Sequence, residues 1–214
     1  MFVLYCKDDK VEGKSPEDFC SDVMDLADIL SHTGGLKCHF DGYDMPAEQQ
    51  PTNWSLWTEN MIIESDFVLM VCSPSLLQLL QSQGPVEMLK GKFYANAITN
   101  AIPANAQKFI PVFLNVGLQL EWIPTSLLMR TCYQLNVAEF YEHLGDTEGL
   151  SHEEFGSRLG EVLQNQRFQQ IASLLAHLRG ESYNPQPLAP LNPVRLAAQP
   201  IAPGLCPTGK FCMW

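Results

Sequence analysis

The sequence predicts an α/β fold with a parallel five-stranded sheet in flavodoxin-like order and helices on both faces. Three observations carry this expectation. Residues 67–72, FVLMVC, form an unbroken apolar run of strand length, the pattern of a parallel strand covered on both sides. Residues 108–114, KFIPVFL, come close to repeating it. Between such runs, apolar residues recur at helical spacing, as at Phe19, Val23, Leu26, Ala27 and Leu30. Strands alternating with helices imply parallel pairing, and five of them suit a doubly wound sheet.

Taken in order, residues 2–6 are a β-prone run beginning almost at Met1, a placement that suggests a truncated form or a domain cut from a longer protein. Residues 7–14 form a charged loop. Ser15, Pro16 and Glu17 then supply an N-cap, a first-turn proline and an early acid, and Gly34-Gly35 ends the helix. Residues 36–40 read as a short strand stopped by the turn pair Asp41-Gly42. The loop from 42 to 53 contains Pro46 and Pro51, which bar regular structure. Trp54, Trp57 and Met61 put one apolar stripe on a short helix before the strand at 67–72.

Beyond Ser73-Pro74, residues 74–84 are Leu- and Gln-rich with polar interruptions. A second helix is expected over about 86–102, carrying Leu89, Phe93, Ala97 and Ala101 and closed by Pro103. Pro111 inside the strand at 108–114 cannot donate to a ladder, so that strand is expected to have a free side or a bulge there. A loop over 122–128 and a short strand over 131–135 follow. Ser151 with Glu154 makes a capping box, and the helix behind it carries Phe155, Leu159, Val162 and Leu163, then Ile171, Leu174, Leu175 and Leu178. From Gly180 the character changes: seven prolines fall between Pro185 and Pro207, with few charges. The expected division is a domain over 1–180 and a Pro-rich, disordered tail over 181–214.

The totals narrow the function classes. The 214 residues suit one domain plus a tail. Net charge is −11, and the first 50 residues hold 11 acids against four lysines. That balance repels phosphate backbones and anionic lipid, so neither nucleic acid nor a membrane surface is an expected partner. No apolar run is long enough for membrane insertion, and no signal peptide pattern is present. Seven cysteines is an odd count with no C-x-x-C pair, which argues against a zinc site. Cys6, Cys38, Cys72 and Cys132 fall in predicted strands as small buried hydrophobes, and a reducing cytoplasm is the natural setting.

The order FVLYCKDD, then FDGYD, then W-x(7)-I-x(2)-S-D-FVLMVCSP resembles the SEFIR family, the TIR-like domain of interleukin-17 receptors and their cytosolic adaptor. KFIPVFL, EWIPTSL and LLAHLRGESYNPQPLAP look most like the CIKS-like adaptor branch. The resemblance covers residues 2–190. It implies a TIR-like fold and a non-enzymatic, cytoplasmic signalling adaptor module for interleukin-17 receptor signalling in inflammation. Its partners would be other SEFIR-domain proteins, in receptor tails or in a CIKS-like adaptor, with homo-oligomerisation left open. Should effector segments be missing in the cell, such a chain would occupy receptors without signalling. TRAF-binding peptides of that adaptor have no match here: Pro185-Gln186-Pro187 and the stretch from Pro85 lack the required patterns.

Two enzymatic alternatives stand beside this one. Gly13-Lys14-Ser15 after a strand approaches a phosphate-binding loop, but Asp8 stands where its first glycine belongs. Asp8, Asp9 and Glu12 would repel the phosphates, and a solvated loop is the better reading. A nucleotide-binding switch is the weaker alternative. Some TIR-like domains cleave NAD with a glutamate on the helix after the strand that ends here at Cys72. The matching position holds Lys92, and Glu87, about a turn and a half earlier, is the available substitute. The better reading is an acid in the helix's first turn, favoured by the dipole. A TIR-like NAD hydrolase is thus the enzymatic alternative, resting on fold analogy. His32, His39, His143, His152 and His177 sit in no hydrolase or metalloprotease motif.

No catalytic residue, cofactor or metal is therefore expected. The 12-residue loop at 42–53 is longer than its connection needs, and Tyr43, Asp44, Met45 and Glu48 give it aromatic, soft apolar and acidic character. Trp54 is either a core residue or an interface anchor, with the three-residue spacing to Trp57 favouring core for at least one of them. The resemblance implies a second contact surface over 74–92, where Leu76, Leu77, Lys90 and Lys92 are the expected contacts.

Overall fold

A computed structural model describes residues 1–6, 14–40, 54–81, 95–147 and 150–181, with only the backbone at 33, 34, 54, 55, 95, 96 and 152. Its centre is a parallel sheet of four strands in the order β1 (Phe2–Leu4), β2 (Val68–Val71), β3 (Phe109–Leu114) and β4 (Tyr133–Leu135). Every residue of β1, β2 and β3 is buried. Helices must therefore cover both faces, as the continuous apolar runs require. In β4 the middle residue, Gln134, is exposed, as suits an edge.

The expected fifth strand is reduced to a single bridge. His39 pairs with Phe2 in parallel sense, its N–H donating to Met1 O and its O accepting from Val3 N, both at 2.9 Å. Among the described residues the sheet therefore has four strands rather than five. Lys37 and His39 alternate with Leu36, Cys38 and Phe40, and only Phe40 of the five is fully buried. So short a stretch has little apolar surface to extend the ladder.

Helix α1 (Pro16–Gly34) follows its sequence signals. Ser15 and Asp18 form a capping box, and Gly35 at φ 60 donates its N–H to Ser31 O. It packs with α5 (Val137–Leu144), α6 (His152–Leu163) and α7 (Gln169–Leu178). A second group joins α2 (Trp54–Glu64) and α3 (Pro74–Gln81) to α4 (Ala95–Asn105).

Two helical expectations are corrected. Pro103 lies inside α4 rather than closing it. Burial of Ile98 and Ile102 holds the last turn, and the Asn105 side chain donates to Ala101 O at 3.0 Å. The long helix after Ser151 is two, because Asn165 accepts from Arg167 N and starts a short turn over Gln166–Phe168 before α7. Helices α3 and α5 add two elements to those the sequence predicts.

Pro111 meets its expectation. The carbonyl of Val112 accepts from Cys72 N, so Val112 faces β2, and the neighbouring Pro111 faces the opposite side. Pairing with β4 begins only at Val112, which leaves the proline ahead of that ladder. The first of two compact units runs Met1–Tyr183. Its last described turn closes at Gly180, φ 68, where Gly180 N donates to His177 O and Glu181 N to Ala176 O, the paired bonds of a Schellman motif. Residues 182–214, including the expected tail, lie outside the described residues.

Candidate interaction surface

Six of the nine expected contact residues, Tyr43, Asp44, Met45, Glu48, Lys90 and Lys92, lie outside the described residues, as does Glu87. Trp54 opens α2. Leu76 is corrected: only 1 % exposed, it is a core residue and offers a partner no surface. The reason is α3 itself. Ser73 Oγ accepts from Leu76 N, Pro74 takes the first helical position, and Leu76 and Leu79 turn inward together. Leu77, half-buried, lies at the margin of that face.

The surface that does emerge is on α2. Trp57 packs edge-on against Phe2 at 5.6 Å, the core role expected of one tryptophan. Thr58 and Ile62 are fully buried, and Met61 is half-buried. The opposite side is formed by Leu56, Glu59, Asn60 and Ile63, spaced i, i+3, i+4 and i+7 and all exposed. Leu56 is 52 % and Ile63 58 % exposed. The helix is thus inverted at three positions: it buries a threonine and presents two large aliphatics to solvent. At its end, Lys108 Nζ donates to Ile62 O at 3.4 Å and Ile63 O at 2.8 Å. A cation on the terminal carbonyls anchors the helix at the start of β3.

A second apolar projection follows the turn Thr125–Leu127. Leu127 is buried, and its carbonyl accepts from Arg130 N at 2.9 Å. This turns Leu128 and Met129 outward, at 44 % and 98 % exposure, beside the exposed Arg130. Neither surface was found from the sequence. An outward Leu–Ile pair two turns apart gives the same periodic signal as an inward one.

Among the described residues, capping groups lie at the C-terminal ends of the strands, where open α/β sheets bind ligands. Asn136 accepts from Glu139 N at the start of α5. Asn115, at φ 55, donates its N–H to Leu135 O and accepts from Ala138 N through Oδ1 at 2.9 Å. Lys14 Nζ donates to Asp22 at 2.6 Å, and Ser15 Oγ to Asp18 at 2.8 Å. The lysine and serine of the near-miss phosphate loop are therefore engaged by α1. Cys72 is a buried thiol whose pKa burial pushes up to about 12, the behaviour of a core residue.

The described histidines serve packing. His32 and His143 donate from Nδ1 to the carbonyls of Asp28 and Glu139. His177 meets Tyr133 Oη at 2.7 Å and stacks edge-on with Phe67. Among the described residues no group of histidine, cysteine and acid could hold a metal ion, and no helix is long and apolar enough to cross a membrane. No protein-family model matches this sequence, and no curated protein matches it.

Proposed function

We propose that this chain is a non-enzymatic, cytoplasmic signalling adaptor module that docks homotypically with SEFIR domains of interleukin-17-type receptors or adaptors. The observation that carries the reading is the inverted patterning of α2, which leaves Leu56 and Ile63 on the surface directly after the long loop at 42–53. Aliphatics held outward on a helix whose other side is anchored to the sheet are what an interface core needs. The parallel bridge between His39 and Phe2 supports the finer fold assignment. With residues 36–40 counted as a vestigial strand outside β1, the order becomes that of a flavodoxin-like, TIR-like sheet of five.

Docking would join an acidic, apolar face to a basic one, with charge setting partner choice and on-rate. The test is a binding measurement between the purified chain and a receptor SEFIR domain. Replacing Leu56 and Ile63 together by Asp is expected to weaken binding at least tenfold, about 1.4 kcal/mol. Unchanged affinity would remove the α2 surface from the reading. Consumption of NAD by the purified chain, lost in Glu87→Ala, would replace the reading with the hydrolase alternative.

A further inference from the structure

We infer that residues 186–195 are a docking peptide for a second partner, a domain of the SH3 type that receives polyproline ligands in an aromatic-lined groove with an acidic pocket at one end. The spacing of the sequence carries this. Pro187, Pro190 and Pro193 recur every third residue, and Ala189, Asn192 and Arg195 keep the same interval beside them. A polyproline II helix has three residues per turn, so in that bound form each set shares one edge. The prolines and the residues before them form the two edges that a groove receives, and positions 188, 191 and 194 take the edge turned away. Arg195 lies two residues beyond Pro193, on the second of the received edges. Pro190-x-x-Pro193-x-Arg195 is thus a PxxP ligand with its cation where an acidic pocket would meet it. That charge sets the direction in which the peptide lies.

Covalent chemistry lowers the cost of docking. Proline holds φ at about −65° and restricts the residue before it to extended or polyproline backbone. Six of the eight residues from Gln186 to Pro193 are prolines or precede one, so a groove that orders them removes less freedom. The charged side chains from 182 to 214 are Arg195 and Lys210, and no acid in that sequence competes with an acidic pocket for Arg195. Pro200 and Pro203 repeat the three-residue spacing, but Leu205 stands where the cation belongs. They supply an internal comparison. The fold is independent of the motif. Leu178 is the last buried residue of α7, Arg179, Gly180 and Glu181 are exposed, and the left-handed Gly180 closes the turn. The described core is thus packed by residues up to Leu178. This contact is separate from the docking face on α2, and a chain holding both would join a receptor to a second protein.

Isothermal titration of the full chain into a panel of purified SH3 domains, with WW domains beside them, tests the inference. At least one SH3 domain is expected to bind, and more weakly at high salt. Pro190→Ala combined with Pro193→Ala should weaken that binding about tenfold or more, and so should Arg195→Glu alone. Arg195→Lys should fall between, because a point charge still meets the acidic pocket. Pro200→Ala combined with Pro203→Ala should leave the affinity unchanged. Unchanged circular dichroism checks that each variant folds. The inference is overturned if every SH3 domain fails to bind the wild type, or if binding survives the changes at Pro190, Pro193 and Arg195. Binding by WW domains alone, or binding that follows Pro200 and Pro203, would overturn it as well. Two cross-measurements keep this contact distinct from the docking function. SH3 binding should persist when Leu56 and Ile63 are replaced by Asp, and Arg195→Glu should leave receptor binding intact. Failure of receptor binding in the wild type would count against the docking function alone.

Discussion

Thr58 and Asn115 each bury a polar atom that finds no hydrogen-bond partner among the described residues, the Thr58 hydroxyl and the Asn115 Nδ2. They call for opposite treatment. The Thr58 hydroxyl does nothing that offsets its desolvation, so Thr58→Val should raise the unfolding free energy by about 1 kcal/mol, read as a higher urea midpoint with the slope unchanged. Asn115 also caps α5 through Oδ1 and adopts φ 55. Asn115→Ala loses the cap and leaves at φ 55 a side chain that, unlike asparagine's, makes no local hydrogen bond to offset the left-handed conformation, for a combined cost of about 2 kcal/mol. Asn115→Gly, which loses only the cap, should fall between it and the wild type. His177 adds a pH dependence. Burial lowers its pKa, so the folded state favours neutral imidazole, and Tyr133, itself raised to about 12 chiefly by burial, remains a hydroxyl that can donate to Nδ1. A histidine depressed on folding contributes stability above its unfolded value of 6.5 and loses it as pH falls through the folded value. Denaturation midpoints should drop below that pH in the wild type, and His177→Gln should flatten the drop.

Among the elements, those announced by a cap or a continuous apolar run were legible. Helix α1 and the start of α6 form where Ser15 and Ser151 are followed three residues later by Asp18 and Glu154, and both capping boxes are present. The buried β2 and β3 follow from FVLMVC and KFIPVFL for the reason given by their double cover. Helix α5 had equal signals, an Asn136 cap, Glu139 three residues on and Gly145 at its end, but eight residues are short enough to pass for a connection. Helix α3 was hidden by Ser73-Pro74, which ends one element and caps the next. Helix α4 outlasts Pro103 because tertiary burial outweighs one missing backbone bond. The exposed apolar surfaces were illegible, since sequence periodicity cannot tell the inward side of an apolar helix from the outward one. Helix α1 carries a prediction of its own. Asp25 has a raised pKa, first from burial and then from Asp22 and Asp28, partly countered by Lys14. Its charge therefore opposes folding at neutral pH, and Asp25→Asn should raise the melting temperature there. The gain should fade as the pH is lowered toward 3.8, where the unfolded carboxyl also protonates.

At the scale of the whole molecule, the sheet is a rigid base and the proposed contacts are mounted on its margins. Helix α2 is tied to the first strand by Trp57 against Phe2 and to β3 by Lys108. A change at Leu56 or Ile63 should thus alter binding while leaving the unfolding free energy within about 0.5 kcal/mol of the wild type, a separation that calorimetry beside the binding assay would check. The strands themselves are not equally secured. Strand β4 pairs with β3 over three residues only, its middle side chain is exposed, and Pro111 contributes no N–H ahead of that short ladder. It lies under α7, which ends at the closing turn of the described chain. In hydrogen exchange these features define a separate unit. The Asn115 amide bonded to Leu135 should exchange together with those of α7, through an opening that leaves the amides between β1 and β2 protected. The molecule would then shed its C-terminal edge first, and a protease acting on the native protein should cut there before it reaches the inner strands.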